Sequence, residues 1–338
     1  MKIGLRTLKT GLAVAIALLV VQILQLESTL FISIGALIGM QTTVADSWKV
    51  GRNRILGTIV GTLFGLLLAL VVPGNFLIAG FGVMVLIVTM NRLNIPEGIV
   101  ISCVVFISIF MTTQPDIFPF AMSRLTDTFL GLIIALLVNY FVFPPKYDRR
   151  AMREMRKDMT EILSCQNRML GTLLGRESVT IEEIEKRLAD LLDELNESKK
   201  LAEMQEKEEK LNVYGQTLCH EINLVLRITT DMYHHLQNLF GIVEKGVSQK
   251  AIHPLRSELE ALYEKLLAEE SQLREEKLNY NQKMTDLLGD ITTLKNRIKS
   301  EDVYRQFGAE ESIKMVVIVY NIGEIISKMN MIDSHRNA

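Results

Sequence analysis

An all-α fold in two parts, a six-helix transmembrane bundle followed by a cytosolic helical bundle or coiled-coil domain, is predicted by three observations. Charge is missing from long stretches of the first half: Ile55 to Asn91 contains no Asp, Glu, Lys or Arg, and only Pro73-Gly74-Asn75 interrupts the run. A water-soluble domain has no use for so long an uncharged stretch, whereas a bilayer core takes roughly 20 apolar residues per helix. The charges are also unevenly divided. Residues 1–143 carry eight Lys/Arg and five Asp/Glu, and the remaining 195 residues carry 29 and 34. Beyond Pro144-Pro145, finally, prolines nearly disappear and apolar residues recur at helical spacing. The expected domains are residues 1–145 in the membrane and 146–338 in the cytoplasm.

The uncharged runs give the membrane helices in order. Thr10 to Leu26 follows Lys2, Arg6 and Lys9 but no small-residue cleavage site comes after it, so it reads as a retained helix, not a signal peptide. The others are Ser28 to Ala45, Ile55 to Val72, Phe76 to Asn91, Gly98 to Pro115 and Thr128 to Phe143. Several are short, so tilting or local thinning of the bilayer is expected. With six crossings the basic groups Lys2/Arg6/Lys9, Lys49/Arg52/Arg54 and Lys146/Arg149/Arg150 all fall on one side, and the positive-inside rule makes that side the cytoplasm. Both termini are then inside, in a multi-pass cell-membrane protein. Pro144-Pro145 ends the sixth helix because neither residue continues the backbone ladder.

An internal repeat lies on this scaffold. Arg6-Thr10-Ala13-Ala17, Arg54-Thr58-Gly61-Gly65 and Arg124-Thr128-Gly131-Ala135 share the offsets 0, 4, 7 and 11. At 3.6 residues per turn those positions form one narrow stripe, so each helix presents an Arg, a hydroxyl and two small residues on a single face. Helices 3 and 6 are expected to run in opposite directions, as two three-helix halves of inverted topology require. Packing is the plainer role of the small residues: Gly57, Gly61 and Gly65 make overlapping GxxxG steps, Gly35 and Gly39 another, and Gly131 sits in the repeat.

Ionisable groups at membrane depth are expensive and default to functional readings. Arg6, Arg52 and Arg54 sit where charge bias wants cations, and their stems can snorkel to headgroups. Arg124 opens helix 6 on the outer side, with Asp127 three residues on; the pair is either a site or a local ion pair fixing the helix end. Asp46 either carries a proton or pairs with Lys49, and Trp48 is an interfacial anchor. Asn139 and Gln22 read as interhelical hydrogen-bonders, and Arg92 and Glu97 flank a cytoplasmic loop or an inner mouth.

In the second half, Thr180-Ile-Glu-Glu183 has the form of a capping box. Leu255, Leu259, Leu262, Leu266, Leu273 and Tyr280 keep one helical phase, which slips before resuming at Met284, Leu287, Ile291, Leu294 and Ile298. That is a long bundle helix or a coiled-coil hairpin. Ile313 to Met329 is apolar enough to form the bundle core but is too interrupted by charge for a seventh span. The basic segment after Pro145 suits anionic lipid, and without aromatic-basic interleaving nucleic acid is not an expected partner. Cys103, Cys165 and Cys219 have no paired spacing, so neither disulfide nor metal site is expected, and no cofactor either. No HExxH, Walker loop, nucleophile elbow or Rossmann fingerprint is present, which argues against an enzyme. Cys219-His220-Glu221 resembles a phosphoacceptor box, but nothing downstream supplies a kinase ATP domain. His234 and His235 point to different helix faces and make a poor metal pair.

Six short spans, W-K-V-G-R-N-R-I-L-G-T-I-V-G-T in helix 3 and R-L-T-D-T-F-L-G in helix 6 resemble the aromatic acid exporter family of the fusaric acid resistance-like superfamily, and the tail resembles that of single-unit bacterial members. The resemblance implies export of aromatic carboxylates. Larger members carry two six-span units, so a single unit implies a homodimer or higher homo-oligomer. A small organic anion as substrate, moved by the proton-motive force, would need a cation and aromatic faces, for which Arg54, Arg124, Phe64 and Phe129 are the candidates. Proton coupling would need a carboxylate whose ionisation is tuned by desolvation, for which Asp46 and Asp127 are the candidates. The alternatives are a membrane-anchored sensor or scaffold that binds a cytosolic partner through its tail, and a passive pore.

Overall fold

The computed structural model describes residues 4–26, 29–72, 74–112, 116–142, 147–210, 218–274, 281–300 and 308–336. Every regular element among them is helical. The chain divides into two compact units, one of residues 1–145 with 207–214, the other of 146–206 with 215–338. Among the described residues, Lys207 to Lys210 group with the first unit.

The membrane unit is built from α1 (Leu5–Leu24), α2 (Thr29–Gly39), α3 (Val44–Val71), α4 (Phe76–Arg92), α5 (Ile99–Phe110) and α6 (Ile117–Phe141), with a short 3-10 turn, Pro96–Gly98, leading into α5. α3 starts well before the uncharged run that signals it. Its N-cap is Thr43, whose hydroxyl accepts from Asp46 N–H, and Lys49, Arg52 and Arg54 all lie inside the helix. Likewise α6 begins at Ile117, not Thr128, so Arg124 and Asp127 sit within it instead of at its start. Charge ends an apolar run on paper, but a charged residue buried against protein need not end a helix. α1, α3 and α6 have the length and hydropathy of membrane spans, whereas α2, α4 and α5 are shorter apolar helices.

Packing register recovers the topology. A Cβ placed on Gly35 would meet Gly131, and one on Gly39 would meet Ala135, so α2 and α6 run parallel. Gly57 lies against Gly98, Gly61 against Ser102 and Gly65 against Ile109, so α3 and α5 also run parallel. α3 and α6 run antiparallel: Ser47 is hydrogen-bonded to Asn139, while Gly51 approaches Leu132. The closest packing in the unit is therefore reciprocal, α3 with α5 and α2 with α6, with α3 and α6 side by side. This is the arrangement expected of two inverted three-helix halves.

The second unit contains α7 (Tyr147–Leu174), α8 (Ile181–Lys210, of which Lys207–Lys210 belong to the membrane unit), α9 (Leu218–Glu244), the single turn α10 (Gln249–Ile252), α11 (Arg256–Arg274), α12 (Asn281–Ile298) and α13 (Ala309–Arg336). α7, α9, α13, α12 and α11 pack as successive neighbours in a ring that closes through the α11–α7 contact. The capping box forms, with Thr180 N–H donating to Glu183 and Glu183 N–H donating to the Thr180 hydroxyl. The leucine phase slip marks a break between two helices: Leu255 to Leu266 are buried at α11 and Met284 to Ile298 along α12. Ion pairs Glu258–Arg297 and Lys265–Asp290 set the two antiparallel as neighbours in the ring. Tyr280 lies outside the described residues, as do Pro144 and Pro145. α13 has a span's length and composition, yet Met315, Ile318, Val319, Ile322, Ile325 and Ile326 are buried in the core this unit shares with α9 and α12. His220 is a surface residue, and no metal-binding cluster occurs among the described residues.

Candidate functional site

The repeat places its two membrane-depth arginines on neighbouring helices. Arg54 on α3 is only 5% exposed, so its stem does not snorkel outward. Its Nε and one Nη are buried and have no hydrogen-bond partner among the described residues. Its carbonyl accepts from the Thr58 hydroxyl one turn on, at 2.9 Å, and Arg6 and Thr10 repeat that bond on α1. There the guanidinium-bearing residue is exposed, so the first copy of the repeat lacks a buried cation.

Arg124 on α6 is 8% exposed and differently furnished. Asp127 Oδ2 stands 3.4 Å from its Nη2, and the Ser123 hydroxyl accepts at 3.3 Å. The guanidinium lies over the rings of Phe31 (4.2 Å) and Phe120 (4.7 Å), which hold it by cation–π attraction. Its Nε has no hydrogen-bond partner among the described residues. Both readings of the pair thus remain structurally concrete: it is a local i,i+3 ion pair, and it is a buried one.

The aromatic candidates part company. Phe129 is exposed on α6 and lines two apolar grooves on the α3–α6 seam, one of about 180 Å³ with Trp48, Gly51 and Arg52, the other of about 290 Å³ with Thr58, Thr126 and Thr128. Phe64 turns the other way and packs with Ala69, Leu86, Phe106 and Phe110 of the α3–α4–α5 cluster. Asp46 is also apart from the arginines. It lies in the first turn of α3, where negative charge suits the helix dipole, and it pairs with Lys207 (3.2 Å), not with Lys49. Lys49 instead pairs with Glu97 (2.9 Å), whose other oxygen accepts from Asn53 at 2.6 Å. That clamp ties the loop before α5 to α3.

A polar knot that charge counting does not find sits at the same end. Asn139 receives the Lys9 ammonium on its Oδ1 (3.1 Å) and donates through Nδ2 toward Gln41 O, Thr43 O and Ser47 Oγ. Glu208, at the end of α8, accepts from Val44 N–H at 2.5 Å and so caps α3 a second time. Burial pushes the Glu208 carboxyl up, and the Val44 N–H works against that. The only sequence signal for the knot is Asn139 itself, an amide in an apolar helix; Gln22, its counterpart in α1, is exposed.

Comparison with known proteins gives a consistent neighbourhood. Residues 1–142 match the profile described as aromatic acid exporter family member 1. The chain is 29% identical over 167 residues to the UPF0421 protein YgaE of Bacillus subtilis (strain 168), covering 48% of this chain and 46% of that one. It is 29% identical over 170 residues to the UPF0421 protein BH2644 of Halalkalibacterium halodurans, covering 50% and 48%. In both, the match spans about half the length of the relative. A UPF0421 protein of Bacillus thuringiensis (strain Al Hakam) is 23% identical over 286 residues, covering 81% of this chain and 80% of its own.

Proposed function

We propose, from the match of residues 1–142 to the aromatic acid exporter family, that this multi-pass membrane protein exports small aromatic carboxylates or similar organic anions across the cytoplasmic membrane. The observation that carries the proposal is Arg54, a buried guanidinium with two nitrogens unpartnered. An uncompensated buried charge costs several kcal/mol, so its retention makes sense where a passing anion supplies the missing partner. A carboxylate matches the guanidinium fork, and the exposed Phe129 ring offers an aromatic face along the same seam. Arg124 receives the anion next, with Asp127 as its proton-exchanging neighbour. Asp46 serves charge balance at the mouth of α3 through Lys207.

The driving force is the proton-motive force, whose electrical component acts on the anion directly. Moving one charge through 100 mV is worth about 2.3 kcal/mol. The single six-helix unit works as a homodimer, with both termini in the cytoplasm.

The test is accumulation of labelled 4-hydroxybenzoate in cells lacking or overproducing the protein, with and without a protonophore. Overproduction should lower accumulation, the protonophore should abolish that difference, and Arg54→Ala should weaken it at least tenfold with the protein still in the membrane. Equal accumulation in all strains across a panel of aromatic acids rejects the proposal. Flux that persists and merely equalises concentrations under the protonophore means a passive pore.

A further inference from the structure

The two halves of the repeat differ at one position that matters chemically. Three residues after Arg54 comes Gly57, whose missing side chain lets α5 approach; three residues after Arg124 comes Asp127. Among the described residues, Arg54 therefore has no acidic partner, whereas Arg124 carries its own carboxylate. Asp127 is 3% exposed, and its oxygen stands off the guanidinium at 3.4 Å. A well-formed charge-assisted hydrogen bond runs closer to 2.7–2.9 Å and is often bidentate. The contact is thus a Coulombic partnership with an unfilled Nε beside it, inside a cradle of Phe31 and Phe120.

We infer that Asp127 is a tethered stand-in for the transported carboxylate: it neutralises Arg124 in the empty carrier, and the substrate's carboxylate displaces it. The inference rests on the anion-export reading above and deepens it by giving Arg54 and Arg124 unequal tasks. Arg54, with no internal rival, loads the anion; Arg124 exchanges it against Asp127. On displacement, the Asp127 carboxylate loses the Arg124 guanidinium in a low-dielectric site and takes one proton from the water on the side where the anion leaves. The ion pair Arg124⁺/Asp127⁻ plus one anion and one proton becomes Arg124⁺/anion plus neutral Asp127. When the anion leaves, Asp127 gives the proton back to the side it came from and the pair re-forms, so the empty state never carries a bare Arg124 and no proton crosses with the anion, whose charge the membrane potential still drives outward. The charged groups on the helices packed around α6 leave Asp127 as the titrating member. α2 and α5 contribute no charged residue, with Cys103 the only titratable group there; α3 contributes Arg54, with Arg52, Lys49 and Asp46 further along; α1 contributes Lys9, held at Asn139, and Arg6.

The experiment is equilibrium binding of labelled 4-hydroxybenzoate to the purified full chain in nanodiscs, between pH 6 and 8, for wild type, Asp127→Asn, Asp127→Glu and Arg54→Ala. Wild-type affinity should fall up to tenfold per pH unit as pH rises, one proton being bound with each anion. Asp127→Asn should bind at least tenfold more tightly at pH 8 and lose the pH slope, and Asp127→Glu should keep the slope. Wild-type binding without a pH slope overturns the inference, as does an unchanged or weakened affinity in Asp127→Asn that elutes as a folded species. If Asp127→Asn fails to fold, the wild-type and Asp127→Glu slopes decide alone. Should binding be present and Arg54-dependent but blind to Asp127, the export reading stands and the stand-in falls. Should wild type bind no aromatic carboxylate at all, both fall.

Discussion

At the scale of single residues, buried polar groups separate into those with partners and those without, and the two kinds do different work. Asn139 is of the first kind. It receives Lys9 and serves three acceptors at the corner between α2 and α3. Truncating it strands a buried ammonium and two backbone carbonyls, so Asn139→Leu should destabilise the membrane unit by about 2–4 kcal/mol. A thermal melt of the protein in nanodiscs reads this directly, and an unchanged midpoint would show that the knot contributes nothing. In the other unit, Asp158 is buried against α8, where the Ser198 hydroxyl donates to it at 2.5 Å. Burial pushes its carboxyl up to about 6 from the ordinary 3.8, the Ser198 bond notwithstanding. A carboxyl raised in the folded state costs stability above its folded value, and the cost fades as pH falls from about 6 toward 4. Asp158→Asn retains an acceptor for Ser198, so at pH 7.5 it should stabilise the C-terminal unit by about 1–2 kcal/mol, with the advantage shrinking steadily as pH falls below 6. A variant less stable than wild type at pH 7.5 would mean that the ionised form is held by groups other than Ser198.

At the scale of elements, small residues decide which helices can touch. A Cβ on Gly61 would collide with the Ser102 carbonyl of α5, and one on Gly131 with the Ile32 carbonyl of α2, whereas one on Gly80 meets nothing within 4 Å. Gly61→Ala and Gly131→Ala should therefore each destabilise by about 1–3 kcal/mol through overpacking, and Gly80→Ala should be neutral or slightly stabilising. Equal effects at the three positions would refute the reciprocal packing of α3 on α5 and α2 on α6. These contacts also explain what the sequence makes legible. Glycine spacing and the shared Arg-Thr-small-small offsets mark the faces that meet, because close approach leaves no choice of residue. Helix ends at charged positions are not marked, since hydropathy treats a buried Arg124 and a headgroup arginine alike. The split of Phe64 from Phe129 is invisible too: each lies on an uncharged helix, and only the packing partner distinguishes a core ring from one on a groove. Glu208 is harder still, being a carboxylate in a Glu- and Lys-rich helix whose last turn groups with a unit far away in sequence.

At the scale of the whole molecule, topology follows from parity more securely than from helix length. At 11 and 12 residues, α2 and α5 span about half a hydrocarbon core on their own. By length alone each could be a re-entrant segment. Yet α2 is parallel to α6 and α3 to α5, while α3 and α6 are antiparallel. Each of the six helices then reverses its predecessor, which places the α1–α2, α3–α4 and α5–α6 connections on one face and the α2–α3 and α4–α5 connections on the other. By the positive-inside rule, the basic residues Lys49, Arg52 and Arg92 predict that the latter face is cytoplasmic. In a background lacking Cys103, Cys165 and Cys219, single cysteines at Phe76 and Asp116 should react with a membrane-impermeant maleimide in intact cells. Cysteines at Leu8 and Leu93, both exposed positions, should react only after permeabilisation. If Phe76 and Asp116 reported from opposite faces, one short helix would be re-entrant and the inverted repeat would lose its symmetry. Arg54 and Arg124 would then no longer be equivalent points on two matching halves, and the difference between Gly57 and Asp127 would assign them no separate tasks.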